Sequence, residues 1–169
     1  MNRGAEERAT GLIELYDVLL PQVYGYLLDR CGNRAVAEDL TSETFLAAVK
    51  AEGSPEPTAL SAPWIVGVAR HKLADHWRRR SRDERLGERL DPVGPDDPWD
   101  AALDHLAAGA VLGGLRDEHR AVLTFRYLDA LPVPDVARLI GRSVHATESL
   151  LVRARAAFRL AYEQGERDA

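Results

Sequence analysis

Apolar residues recur every three or four positions through most of the chain, the spacing that places side chains on one face of an α-helix. The first such run predicts a helix over residues 12–30 and contains Leu12, Leu15, Tyr16, Leu19, Val23, Tyr26 and Leu27. Pro21 lies inside this run, and a proline there can either kink the helix or break it. Runs of β-branched residues, which favour strands, are few. The pattern therefore predicts an all-α fold.

Capping residues and prolines set the bounds of the later helices. Asn33 can cap the start of one helix, and Pro63 fits the first turn of another because its missing N–H would be unpaired there anyway. After the first run, these signals predict helices over residues 34–51, 63–82, 100–113 and 116–128. The last residues, 164–169, are expected to form a frayed tail.

The composition changes sharply between the third and fourth predicted helices. Residues 91–98 hold three prolines and one glycine, which excludes regular structure there. We therefore predict two small helical domains, residues 10–81 and residues 101–163, joined by a flexible acidic linker over residues 82–100.

Residues 131–159 have the pattern of a helix-turn-helix. Asp135–Ile140 places apolar residues at helical spacing, and Gly141 tolerates the left-handed backbone that ends a helix. Ser143 can then cap a second, longer helix. The second helix of such a pair fits the major groove of DNA, although helical hairpins with a Gly turn also occur as plain packing units.

The distribution of charge points to nucleic acid although the formal net charge is −5. Residues 64–85 hold seven basic residues against three acidic ones, and residues 138–159 hold five against one. Between them, residues 86–104 hold six acidic residues against one basic residue. Two basic segments separated by an acidic one fit two nucleic-acid contacts on a tether.

Several other classes of protein find little support. No apolar run approaches the ~20 residues that span a bilayer, and the N-terminus lacks the apolar core of a signal peptide. Cys31 is the only cysteine, so an intrachain disulfide is excluded. His71, Asp75 and His76 could suggest a metal site or an enzyme, but the two histidines are off one helix face. We expect a cytoplasmic protein without membrane insertion, and no catalytic residue, metal or cofactor.

Four motifs in order resemble those of bacterial RNA polymerase sigma factors. Residues 34–49, RAVAEDLTSETFLAAV, contain the Asp-Leu-x-x-Glu-Thr-Phe arrangement of that family's core-binding helix. Residues 63–71, PWIVGVARH, with the later arginine run, are similar to its promoter-melting helix. Residues 115–127 and the helix-turn-helix resemble its C-terminal promoter domain. No third domain fits between these halves, as in the extracytoplasmic-function (ECF) subgroup.

The resemblance implies that the second helix docks on core RNA polymerase. Asp39 and Glu43 are one turn apart, so their carboxylates share a helix face. Without the resemblance, this face would be read as a solvated acidic stripe. With it, acidic groups would meet the β′ clamp coiled coil and apolar neighbours would supply buried area. The expected core-binding residues are Asp39, Leu40, Glu43, Thr44 and Phe45.

The third helix resembles the element that opens the −10 region of promoters. Its basic side chains can neutralise phosphates, and a tryptophan can stack on an unpaired base. Core packing is the competing interpretation for Trp77 and is favoured for Trp64. The residues expected to contact −10 DNA are Arg70, His71, Lys72, Trp77, Arg78, Arg79 and Arg80.

The second helix of the helix-turn-helix is expected to hold −35 duplex DNA. Its N-terminal residues would face base edges, and later arginines suit phosphates. The segment departs from the family pattern at Thr147, Glu148 and Leu150, and a glutamate facing DNA would weaken binding. The expected −35 residues are Arg142, Ser143, His145, Ala146, Ser149, Arg153 and Arg155.

The sequence thus predicts a dissociable sigma factor of the ECF type. Its expected partners are core RNA polymerase, through the β′ clamp coiled coil and the β flap, and promoter DNA, and an anti-sigma factor is left open. The alternative is a helix-turn-helix regulator that acts without core polymerase. That alternative leaves the acidic second helix and the basic third helix without a shared purpose.

Overall fold

A computed structural model describes residues 3–54, 60–84 and 105–168 of the chain. These residues form helices and short turns without a strand, which confirms the all-α prediction. The helices are α1 (Arg3–Cys31), α2 (Arg34–Glu52), α3 (Ala62–Glu84), α4 (His105–Gly114), α5 (Asp117–Leu123), a π-helical turn (Thr124–Leu128), α6 (Val133–Ile140) and α7 (Val144–Asp168).

The contacts divide the chain into two compact units, Met1–Leu73 and Ala74–Ala169. The division falls inside α3, whereas the sequence predicted a first domain that ends at residue 81. The second half of α3 joins the C-terminal unit because Trp77 and Ser81 are buried in it. The predicted linker over residues 82–100 begins in the last turn of α3, and its remainder lies outside the described residues.

The N-terminal unit is built from α1, α2 and the first half of α3. The α1 helix runs without interruption through Pro21, which settles the question of a break. Asn33 caps α2 as predicted, because its side-chain oxygen accepts from the backbone N–H of Val36 at 3.1 Å. Apolar side chains at helical spacing fill the core: Leu19, Val23, Leu27, Leu40, Ile65, Ala69 and Leu73.

The C-terminal unit packs α4, α5 and α6 around α7. The second half of α3 contacts α5 through Arg80 and the π-helical turn through Trp77. The buried side chains of α7 recur at three- and four-residue steps, so one face of this long helix lies in the core. Phe125 and Val122 contribute from the neighbouring turns. The largest fully buried side chains of the unit are Trp77, Val122, Phe125, Val136 and Leu150.

The structure differs from the sequence predictions in three further places. The predicted helix over residues 116–128 changes to π-type hydrogen bonding at Thr124 and ends before Ala130, which has a left-handed φ of 52°. The prediction of a frayed tail over residues 164–169 is wrong, because α7 continues to Asp168. Within this helix, Phe158 stacks on Tyr162, which lies one turn later. The predicted start of the fourth helix, over residues 100–104, lies outside the described residues.

Candidate nucleic-acid interface

The turn between α6 and α7 has the predicted geometry. Gly141 has a φ of 69° and a ψ of 41°, a left-handed conformation that side chains with a β-carbon resist. The N–H of Arg142 then reaches back to the carbonyl of Ala137 at 2.9 Å, closing the end of α6. The Ser143 hydroxyl accepts from the N–H of Ala146 at 3.2 Å, so this serine caps α7.

The α7 helix has one buried face and one accessible face. Thr147, Leu150 and Ala154 point into the core of the C-terminal unit. Two of the three departures from the family pattern, Thr147 and Leu150, are therefore core residues that do not meet DNA. Among the expected −35 residues on the other side, His145 and Ser149 are exposed, as is Glu148, and Ala146, Arg153 and Arg155 are half-buried.

Arg142 is engaged within the protein and does not present its charge to a phosphate. Its Nη2 lies 2.7 Å from Oε2 of Glu118, whose side chain is only 9% exposed. A carboxylate desolvated to this degree needs its cation. Arg142, which was expected among the −35 contacts, instead has a structural role in this structure and ties the turn to α5. Arg155 is also partly engaged, with Nη1 3.5 Å from the Tyr127 hydroxyl.

The basic residues at the middle of α3 lie in the N-terminal unit. His71 is exposed, whereas Arg70 and Lys72 are half-buried. Lys72 Nζ lies 3.3 Å from Oε2 of Glu43 on α2. A residue expected to contact DNA is thereby paired with one expected to contact the polymerase. Both side chains are substantially exposed, and such a pair is weak enough to separate when a partner binds.

The second half of α3 departs most from expectation. Trp77 is 2% exposed, and its ring meets Phe125 edge-on at a centroid distance of 5.4 Å. The prediction that Trp77 stacks on a base is therefore corrected, because its side chain packs in the core of this structure. Arg80 Nε lies 2.7 Å from Oδ2 of the buried Asp117, whereas the side chain of Arg79 is exposed.

Only part of the predicted docking surface on α2 is accessible to a partner. Asp39 is exposed and Glu43 is half-exposed, so both carboxylates are accessible. Leu40, Thr44 and Phe45 are buried in the N-terminal unit, and a partner cannot touch them without unfolding it. Their packing in the core holds α2 in place. Phe45, for example, packs edge-on against Tyr16 at 4.7 Å.

Leu46, an exposed apolar residue of α2, was not among the predicted docking residues. Its side chain is 57% exposed. Position 46 is three residues after Glu43 and seven after Asp39, so all three share one helical face. Val49, one turn beyond Leu46, is also exposed. The spacing of position 46 from Asp39 and Glu43 could have identified Leu46 from the sequence.

Comparison with known proteins identifies the family. Models of Sigma-70 region 2 and of Sigma-70, region 4, match residues 15–83 and residues 105–158. The ECF RNA polymerase sigma factor SigL of Mycobacterium tuberculosis is 32% identical over 156 residues, which cover 89% of this chain and 88% of SigL. The chain belongs to the ECF RNA polymerase sigma factors.

Further relatives place this sigma factor in the same family. The ECF RNA polymerase sigma factor BldN of Streptomyces coelicolor is 34% identical over 161 residues, which cover 91% of this chain. This chain spans 61% of the length of BldN. Among solved structures, the sigma factor RpoE, in complex with the anti-sigma factor NepR from Bartonella quintana, matches with a TM-score of 0.54 at 19% identity. That match covers 89% of this chain and 95% of RpoE, and it supports the fold.

The region 2 match of this sigma factor extends across both units of the structure. It ends at residue 83, so it includes the second half of α3, which packs in the C-terminal unit. Arg80 and Trp77 thus belong by sequence to region 2. Their structural partners Asp117 and Phe125 lie within the segment matched by region 4.

Two histidines of this sigma factor lie in shielded positions, His76 on α3 and His119 on α5. Burial lowers the pKa of His76, and the nearby charge of Arg80 lowers that pKa further. Burial also lowers the pKa of His119, whose Nε2 is buried and has no hydrogen-bond partner within the described part of the chain. Both imidazoles are thereby favoured in the neutral form.

Across residues 3–54, 60–84 and 105–168, no three His, Cys, Asp or Glu side chains gather in a group that could hold a metal ion. Over the same ranges, no helix combines the length and apolar character needed to cross a membrane.

Proposed function

We propose that this sigma factor binds core RNA polymerase and directs it to promoters. The N-terminal helices would dock on the polymerase and open the −10 region, while the helix-turn-helix would hold the −35 element as duplex. The observation that carries the proposal is the order of the two family regions, region 2 at residues 15–83 and region 4 at residues 105–158 of one chain. A regulator with only a helix-turn-helix would need region 4 alone.

The docking surface we propose is the exposed face of α2 formed by Asp39, Glu43 and Leu46, which we call the α2 face. Its two carboxylates would attract basic side chains of the β′ clamp coiled coil and orient the encounter. Leu46 would supply apolar area at the centre of the contact, where buried side chains carry most of the binding energy. Glu43 would leave Lys72 when it binds.

Opening of the −10 region would use binding energy in place of chemical energy. Unpaired bases held by the protein offset the few kcal/mol lost when each stacked pair opens. The exposed His71 and Arg79, with Arg70 and Lys72, are the α3 side chains that we propose to hold this strand from the outset. Arg78 and Arg80 would join only after their present ion pairs are broken.

Recognition of the −35 element would fall to the accessible face of α7. His145, Ala146 and Ser149 lie near its N-terminus, where side chains reach base edges. Arg153 and Arg155 would contact phosphates, and Ser143 would act by capping the helix. We propose that the same C-terminal unit also touches the β flap of the polymerase.

In this role the sigma factor changes no covalent bond, because RNA synthesis belongs to the polymerase. We accordingly propose no catalytic residue, metal or cofactor, and we place the protein in the cytoplasm with its polymerase and DNA. Of the similar proteins, RpoE was solved in complex with the anti-sigma factor NepR. An anti-sigma factor is therefore a further partner that we propose to seek.

Association with core polymerase is the first test of the proposal. Purified full-length chain, mixed with core enzyme, should co-elute with it in size-exclusion chromatography and should be displaced by an excess of another sigma factor. Co-elution that an excess of another sigma factor does not reduce would indicate a non-specific contact. A chain that never co-elutes but binds duplex DNA would instead be a regulator that acts alone.

A further inference from the structure

An ion pair between α5 and the turn of the helix-turn-helix shields one cation of the C-terminal unit. Arg142 lies in the turn, between the end of α6 and Ser143, which caps α7. Its Nη2 lies 2.7 Å from Oε2 of Glu118, in the first turn of α5. The side chains of Arg142 and Glu118 are only 21% and 9% exposed. The guanidinium is therefore directed at a carboxylate within the unit and is largely shielded from solvent.

The backbone of the turn fixes Arg142 in this place. Gly141 adopts a left-handed φ of 69°, and the N–H of Arg142 donates to the carbonyl of Ala137 at 2.9 Å. One residue later, the hydroxyl of Ser143 accepts from the N–H of Ala146. Arg142 is thereby held beside the N-terminal end of α7, the end of a recognition helix that approaches DNA. A cation at this position would be within reach of the DNA backbone if no carboxylate held it.

A second arginine of the helix-turn-helix forms a pair of a different kind. Arg138 pairs with Asp135 on α6, but the side chain of Arg138 is 78% exposed. An exposed pair contributes little and separates readily, whereas breaking a buried pair leaves a desolvated charge without a partner. The pair of Arg142 with Glu118 therefore persists when DNA approaches, while Arg138 remains available to phosphates.

We infer that Glu118 is a positioning residue of the −35 site, which limits affinity for duplex DNA by holding Arg142 away from the phosphate backbone. The inference rests on the proposed function, since it requires that α7 meets duplex DNA. A phosphate contact strengthens binding to every sequence alike, whereas contacts with base edges provide the discrimination. By withholding one cation, Glu118 keeps sequence-independent binding weak and leaves the choice of promoter to His145, Ser149 and their neighbours.

The test is to release Arg142 by removing only the charge of Glu118. Glu118→Gln keeps the shape of the side chain, and Glu163→Gln is its control because it removes an equal charge from an exposed position near the end of α7. The double variant Glu118→Gln, Arg142→Gln removes both partners of the pair. Binding of the full-length chains to two labelled duplexes of unrelated sequence is measured from about 50 to 200 mM salt.

We expect Glu118→Gln to tighten binding to both duplexes and to steepen the slope of log K against log salt concentration by about 0.9, since Arg142 gains one phosphate. Its advantage over the unsubstituted chain should therefore shrink about 3.5-fold across the salt series. Glu163→Gln and the double variant should keep the slope of the unsubstituted chain. A purely structural role of Glu118 would weaken binding and would not steepen the slope.

A second variant covers the case in which Glu118→Gln is unfolded by circular dichroism. Glu118→Asp keeps the charge but draws it back from Arg142, because the side chain is one methylene shorter. It should steepen the slope in the same direction, by a smaller amount.

Two results would overturn the inference. One is a folded Glu118 variant without a steeper slope, or without measurable duplex binding at about 50 mM salt. The other is a slope that steepens equally in the double variant, which lacks Arg142. Arg153→Ala separates this inference from the proposed function. If Arg153→Ala flattens the slope while Glu118→Gln does not steepen it, α7 meets DNA and only the role of Glu118 is wrong. If neither variant changes the slope, the proposed −35 surface is wrong as well.

Discussion

At the scale of single residues, accessibility decides which side chains can act on a partner. Leu40 and Phe45 match the family motif but are buried, whereas Asp39 beside them is exposed. Local spacing could place all three on α2, yet it could not show which face α1 covers. The same limit applies to Arg142, whose ion pair with Glu118 spans 24 positions and is invisible in a local pattern.

The acidic pair of the α2 face should govern association with the polymerase. Asp39→Ala with Glu43→Ala should weaken core binding about tenfold or more, because close interfacial charge pairs contribute ~1.5 kcal/mol or more. Stability should change little, since both carboxylates are accessible and the pair with Lys72 lies at the surface. Competition binding to core enzyme and thermal melting measure the two effects.

The control for this pair is Glu14→Ala with Asp17→Ala, which removes the same charge from exposed positions on α1. It should bind core as the unsubstituted chain does. Equal core affinity of both double variants would place the docking surface elsewhere.

His119 should make the stability of the C-terminal unit depend on pH. Its pKa is lowered by burial, so the unfolded chain binds a proton more readily than the folded one. Unfolding free energy should therefore be constant above the ordinary pKa of 6.5 and should fall as pH drops from there towards the folded pKa. His76, with its pKa lowered in the same way, should add to the effect.

Urea denaturation at a series of pH values between about 7.5 and 5.5 measures this dependence. His119→Gln, which cannot take up a proton, should flatten it, while substitution of the exposed His145 by Gln serves as the control. A His119→Gln protein with the same pH dependence as the unsubstituted chain would show that His119 is accessible to protons in the folded state.

At the scale of elements, the sequence predicted most helices but not how they pack. Asn33, Gly141 and Ser143 act locally, and the structure confirms each as a cap or turn residue. The end of α7 was missed because helix propensity and the Phe158–Tyr162 stack outweigh fraying. The burial of Trp77 depends on Phe125, which is distant in sequence, so spacing within α3 could not decide it.

The α7 helix should read duplex DNA with a salt dependence set by its arginines. Each phosphate neutralised contributes about −0.9 to the slope of log K against log salt concentration. Arg153→Ala should therefore flatten the slope by about one unit and weaken binding to all promoters alike. Duplex binding measured over a salt series gives the slope. The control is Arg34→Ala, which removes an exposed charge from α2 and should leave the slope unchanged. If Arg34→Ala flattens the slope as much as Arg153→Ala does, the effect comes from net charge alone.

Glu148 tests whether the accessible face of α7 meets DNA at all. The side chain is exposed between His145 and Ser149 on the helix, where a negative charge opposes binding. Glu148→Lys should therefore tighten binding to every promoter. Loss of discrimination at a single base pair would show instead that the carboxylate accepts from a cytosine amino group. A protein with unchanged affinity and preference would exclude this face from the interface.

At the scale of the whole molecule, we propose that one chain joins polymerase docking to promoter recognition. The order of the motifs predicted this organisation, and the family matches over residues 15–83 and 105–158 follow the same order. What the order could not reveal is that the second half of α3 packs with residues of the region 4 segment. The contacts of Trp77 with Phe125 and of Arg80 with Asp117 join residues that are far apart in sequence.

Transcription in vitro tests whether the chain combines these two roles. Core polymerase with the purified chain should initiate RNA from a small set of sites in a genomic library, and the sites should share a −10 and a −35 motif. The doubly substituted Asp39→Ala, Glu43→Ala chain should reduce initiation at the same sites without shifting them. The proposed function would be wrong if core polymerase with the unsubstituted chain initiated no more RNA, and at no other sites, than core polymerase alone.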